Sequence, residues 1–182
     1  MKPEIKIMRH GDHLSSLASV GIACVAIFGL LLVCMPYLPN WNPQATSWAT
    51  IAKVEWEQAV RMNAAGKAWL SLAHAIWTLA YLLPLFALRR LGRALFRGEA
   101  LTPPVAKAFR WLAHSLPLNA LLCFIAGMFT GIASEVSGVE ARTFTLDIGG
   151  FYIFLIATLC LYSVAHLMRL AAEAADDSRS IV

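Results

Sequence analysis

Four stretches of this chain, residues 13–52, 68–88, 111–134 and 148–168, contain no Asp, Glu, Lys or Arg. Each reaches the ~20 residues that an α-helix needs to cross a hydrocarbon core about 30 Å thick. Within a bilayer every backbone N–H and C=O must be paired inside the protein, and a helix pairs its own. The runs therefore predict an all-α integral membrane four-helix bundle, a single membrane domain over 1–182 with spans at about 14–36, 69–89, 112–134 and 148–169. Composition points the same way: 59% of the 182 residues are hydrophobic and 14% charged, against about 45–50% and about 25% in soluble domains. The formal charge of +4 comes with no basic arm or nucleic-acid motif, so direct nucleic-acid binding is not expected.

Lys2, Lys6 and Arg9 precede the first run much as basic residues precede a signal peptide. A signal h-region is about 7–15 residues long, whereas this run extends from Leu14 to Met35, and the small triplet Ala45-Thr46-Ser47 lies well past its end. Val33 ahead of Cys34 also lacks the small side chain of a lipoprotein site. The segment is expected to remain as a helix.

Orientation follows from where Lys and Arg fall. The N-terminus carries three, the connection between the second and third spans carries six (Arg89, Arg90, Arg93, Arg97, Lys107, Arg110), and the C-terminus carries two. The opposite side has only Lys53, Arg61, Lys67 and Arg142. Positive residues concentrate in cytoplasmic connections, so both termini are expected in the cytoplasm, and a bacterial cytoplasmic (inner) membrane is the expected location.

The first external connection contains Trp41, Trp48 and Trp56, with Trp69 just beyond it. Ser47 suits a helix cap, and Trp48, Ile51, Ala52, Ala59 and Met62 share one helical face while Lys53, Glu57 and Arg61 lie elsewhere. Glu55 interrupts the apolar face. An external interfacial helix is expected, either as a lid over a pocket or as an aromatic belt at headgroup level.

On the cytoplasmic side Arg89, Arg93 and Arg97 recur every four residues and share a face if the second span continues as a helix. Gly98 suits a helix end, and Thr102 before Pro103 suits a new N-cap and first turn. Such an arginine stripe suits anionic lipid or an acidic cytoplasmic protein partner, although topology determination alone would also account for it.

The run Leu95-Phe96-Arg97-Gly98-Glu99-Ala100-Leu101-Thr102-Pro103, followed by Phe109-Arg110-Trp111-Leu112, resembles the central motif of the bacterial membrane family catalogued as domain of unknown function 2975 (DUF2975). The ending Ala171 to Val182, with Glu173, Asp176 and Asp177 and a closing aliphatic pair, is similar to that family's acidic tail, with Asp177-Ser178 where the family usually has Glu-Asn. The family has no established activity. Its members are often encoded beside a small helix-turn-helix regulator, so the resemblance implies the membrane component of a regulatory pair.

Candidate chemistry inside the spans is sparse. His74 lies toward the external end of the second span, while His114 and His166 lie near the cytoplasmic markers Arg110 and Arg169 and share a depth. Two histidines on facing helices can ligate haem iron, which makes a small haem-binding redox protein the alternative reading. A Soret band lost on replacing either residue would distinguish it from hydrogen-bonded structural histidines. Cys24, Cys34, Cys123 and Cys160 form no metal-binding spacing and are expected as buried thiols. Gly127 and Gly131 form a G-x-x-x-G pattern that admits a close helix, either within the bundle or across a homodimer. Pro84 and Pro117 are expected to kink their helices, and Asn119 offers an interhelical hydrogen bond.

No Asp, Glu, Lys or Arg stands in a span core, as the path of an ion-coupled carrier commonly requires. Walker, metalloprotease, nucleophile-elbow and dinucleotide signatures do not occur in the sequence. The expectation is a noncatalytic regulatory or interaction component, without a metal or resident cofactor. Arg89, Arg93, Arg97, Glu173, Asp176 and Asp177 are its candidate contact residues.

Overall fold

The computed structural model describes residues 3–37, 56–97, 102–139 and 148–180. Among them are α1 (Pro3–Cys34), followed by a 3₁₀ turn (Met35–Tyr37), α2 (Trp56–Arg61), α3 (Ala64–Phe96), α4 (Pro103–Ser137) and α5 (Ile148–Ser180). Four helices are long and apolar enough to cross a membrane. The chain is therefore a multi-pass membrane protein with an all-α four-helix bundle fold. The long helices run on into charged turns, where their backbone bonds remain internal: α3 continues through Arg89, Arg90 and Arg93, and α5 continues beyond Arg169.

Helix ends follow local chemistry. α4 begins at Pro103, whose missing N–H would have no partner in a first turn. The Thr102 carbonyl accepts the N–H groups of Val105 and Ala106 at 3.0 and 3.2 Å. At the other end of α4, Gly138 adopts φ 65°. Its N–H donates to Glu135 O at 3.1 Å and that of Val139 to Ser134 O at 3.0 Å. This paired closure satisfies carbonyls that the ending helix leaves open, and its left-handed residue favours glycine.

The contacts gather into two compact units: Met1–Ala23, Leu82–Leu118 and Ile148–Val182 form one, and Cys24–Tyr81 and Asn119–Asp147 the other. In the first, Leu91, Val105 and Ala108 form a buried cluster with Leu14, Leu95, Leu112 and Met168 against it. α1 and α3 approach closely where Gly11 meets Gly92. A Cβ added at Gly11 would lie 2.5 Å from Phe96 N and 2.8 Å from Gly92 O, and one at Gly92 would lie 2.6 Å from Ser15 N. Glycine is needed there because the opposing atoms are backbone and have no rotamer with which to move aside.

In the second unit Ala59, Met62, Leu70 and Ala133 form the buried cluster, with Trp69 and Val139 packed against it. Asn63 caps α3: its Oδ1 accepts the Gly66 N–H at 2.7 Å, and its Nδ2 donates to Val136 O at 2.9 Å. One side chain thus serves an orphan donor of α3 and the last turn of α4. Ser71 donates to Val33 O at 2.9 Å, joining α3 to α1. The expected Asn119 bond is also made, from Nδ2 to Ala80 O at 2.7 Å.

Several local expectations change. Ala59 and Met62, assigned to an interfacial face, are each 4% exposed and pack against Leu70 and Ala133. Among the described residues α2 covers six positions, Trp56–Arg61. Ser47, Trp48, Ile51, Ala52 and Lys53 lie outside the described residues, as do Trp41 and Gly98. Trp69, grouped with the aromatic belt, stacks on Phe129 with ring centroids 5.3 Å apart and planes 13° from parallel. Of the cysteines expected to be buried, only Cys123 is; Cys24, Cys34 and Cys160 are exposed. A thiol is apolar enough to stand on either face of a membrane helix, so sequence polarity does not choose between them.

Candidate functional site

The arginine turn belongs to the first unit. Leu91 and Leu95 face its core, which directs the residues two positions away elsewhere. Arg93 and Arg97 are exposed, whereas Arg89 is half-buried and its Nε is shielded without a hydrogen-bond partner among the described residues. Arg97 lies in the turn just after α3 rather than within the helix. The adjacent Arg90 places its guanidinium 5.6 Å from the centre of the Trp111 ring. Such cation–π contact holds the guanidinium on the α4 surface.

The acidic tail begins at Glu173 on α5. Glu173 is exposed and pairs with Arg169, one turn back on α5, at 3.6 Å from Oε1 to Nε. With side chains 56% and 62% exposed, such an ion pair contributes at most about 1 kcal/mol. The Asp176 and Asp177 side chains lie outside the described residues. Glu173 is thus joined to its own helix rather than to Arg89, Arg93 or Arg97.

A groove of about 470 Å³ lies between α4 and α5 in the same unit. Pro103, Lys107 and Arg110 line it from α4, and Tyr162, His166, Arg169 and Glu173 from α5. The α5 residues recur at offsets that place them on one helical face. Ala106, Ala165 and Ala172, exposed by 7%, 7% and 2%, form its inner wall. These short side chains leave the space that the longer basic chains surround. The sequence did not assign Lys107 or Arg110 to a site; the periodic face of α5 was the signal available.

The three histidines have different surroundings. His114 Nδ1 lies 2.7 Å from the Arg110 carbonyl, its ring edge-on to Tyr162 at 5.2 Å between centroids. With Nδ1–H donating to that carbonyl, Nε2 is left as the acceptor. His166 lines the groove beyond Tyr162. Among the described residues no ring contact or hydrogen bond joins His114 to His166. His74 belongs to the second unit, and its Nδ1 is buried without a hydrogen-bond partner among the described residues.

Four hydroxyl groups in the spans are satisfied locally. Thr78, Thr130, Ser134 and Thr158 each donate to the carbonyl four residues earlier, at 2.8–3.0 Å. This is the expected resting state of a hydroxyl in apolar surroundings and leaves no activated nucleophile among these four. Of the glycine pair on α4, Gly127 is buried, while a Cβ at Gly131 would meet nothing within 4 Å. Within the chain, close approach to another helix's backbone falls at Gly11 and Gly92 rather than at Gly131.

Comparison with protein-family models, curated proteins and solved structures finds no match to this chain.

Proposed function

We propose that this is a noncatalytic regulatory or interaction protein of the bacterial cytoplasmic membrane, with both termini on the cytoplasmic side. Its docking surface for a cytoplasmic protein partner is the arginine turn after α3, which receives acidic side chains, together with the tail bearing Glu173, Asp176 and Asp177, which receives basic ones. One observation carries the reading. Arg93 and Arg97 stand exposed at the end of a helix whose opposite face is fixed by Leu91 and Leu95, so the charge is displayed from an anchored support. Preorganised charge favours specific and rapid encounter more than a flexible basic segment would. The resemblance to DUF2975 centres on this turn and on the tail, and implies a small helix-turn-helix regulator as the partner.

Crosslinking in native membranes tests the proposal. The full chain should capture a cytoplasmic protein, and capture should fall sharply with Arg93→Glu and Arg97→Glu. If no protein is captured, or if capture is unchanged by the reversal and by deletion of residues 173–182, the docking surface is wrong.

A further inference from the structure

We infer that the α4–α5 groove is a binding site for the headgroup of an anionic phospholipid. Among the described residues Lys107, Arg110 and Arg169 place three cations on it, against the one carboxylate of Glu173. Glu173 already faces Arg169 through a weak, exposed ion pair. The groove therefore holds surplus positive charge at the position where a phosphodiester would enter. Arginine presents several N–H donors to phosphate oxygens, and lysine adds a mobile point charge.

The axial order of the residues selects a lipid over a soluble anion. From Tyr162 to Glu173 the α5 face extends about 16 Å along the helix, at 1.5 Å per residue. Both lie in the candidate span Phe154–Ala174, with Tyr162 well inside it and Arg169 and Glu173 close to its end. A ligand filling the groove meets Lys107, Arg110 and Arg169 toward the end of the span, with Ala106 and Ala172 as the wall beside them, and toward the bilayer interior it meets Ala165 and the Tyr162 ring. That gradient matches a headgroup phosphate followed by glycerol and acyl ester, whereas free phosphate would use only the basic end. The volume, about 470 Å³, lies within the roughly 300–1,000 Å³ of small-molecule sites. It suits a headgroup with the proximal part of its chains, whose remainder would stay in the bilayer. Basic pockets between membrane helices recognise phospholipids through this combination of charge and depth.

The arginine turn shares no residue with the groove, and Glu173, which belongs to both the tail and the groove, is unchanged in every groove variant, so failure of this inference is distinguishable from failure of the proposed protein docking. The test uses the full chain, purified in detergent and delipidated, with phosphatidylglycerol, phosphatidylcholine and inorganic phosphate as probes in native mass spectrometry and thermal unfolding. Phosphatidylglycerol should bind and stabilise more than phosphatidylcholine, and inorganic phosphate should not displace it at equal concentration. Lys107→Gln with Arg110→Gln should weaken phosphatidylglycerol binding roughly thirtyfold, taking each cation at the usual membrane-surface strength. Arg9→Gln with Arg90→Gln removes the same charge outside the groove and should leave binding within about twofold, well below the effect expected of two lost contacts. Ala165→Leu keeps every charge but fills the inner wall, and should also block binding. Lys107→Gln with Arg110→Gln alters exposed side chains, so its unliganded melting temperature should match the parent, while the control, which gives up the Arg90–Trp111 contact, should melt slightly lower. Equal binding of the two lipids, equal loss in both charge variants, or displacement by inorganic phosphate would overturn the assignment.

Discussion

Replacing Asn119 probes how α3 tolerates a proline within an apolar span. Pro84 has no N–H, so the carbonyl four residues earlier, that of Ala80, loses its normal helical partner. Ala80 is 0% exposed, and the Asn119 amide supplies the missing donor at 2.7 Å. Asn119→Leu keeps similar bulk but leaves this carbonyl unpaired. An unsatisfied buried acceptor costs about 1–3 kcal/mol, while side-chain hydrogen bonds between membrane helices average about 0.6 and reach about 1.7 kcal/mol. Together these place the loss at about 1–2 kcal/mol. Pro84→Ala restores an N–H able to reach the Ala80 carbonyl, so in that background Asn119→Leu should cost far less. The four proteins of this cycle, unfolded reversibly in mixed micelles, should give a coupling of about 1 kcal/mol. An equal penalty for Asn119→Leu in both backgrounds would refute the argument that Asn119 serves the carbonyl freed by Pro84.

Two further measurements address packing and orientation. Gly11→Ala and Gly92→Ala should each lose about 1–3 kcal/mol through overpacking against backbone, whereas Gly131→Ala should be neutral or gain up to about 1 kcal/mol from helix propensity; thermal denaturation in micelles ranks the three. In a background lacking Cys24, Cys34, Cys123 and Cys160, a cysteine replacing Glu99 should resist membrane-impermeant maleimide in intact cells while one replacing Gln44 is labelled, and external labelling at position 99 would reverse the assigned orientation.

A bilayer penalises charge on every face of a spanning helix, so missing charge locates a span without revealing which face meets the protein. That is why the charge-free runs indicated the four long helices but misplaced Cys24, Cys34 and Cys160. It is also why Gly127 and Gly131 drew attention that Gly11 and Gly92 did not. The first pair is visible as a four-residue spacing within one helix. The second exists only once α1 and α3 are aligned in opposite directions, which brings Gly92 against Gly11 and Ser15. Thr102-Pro103 and Asn119 were legible because capping and interhelical hydrogen bonding follow from one residue's chemistry. The positive residues show where this kind of reading stops. Counting treats Arg90, Arg93 and Arg110 alike, since orientation depends only on the side of the membrane they occupy. Their neighbours separate them: Arg90 lies over Trp111, Arg93 is exposed, and Arg110 lines the α4–α5 groove. Tyr162, His166, Arg169 and Glu173 can be assigned to one face from periodicity alone. That Lys107 and Arg110 stand across from them depends on which helices pair, and the proposed lipid site arises from that pairing.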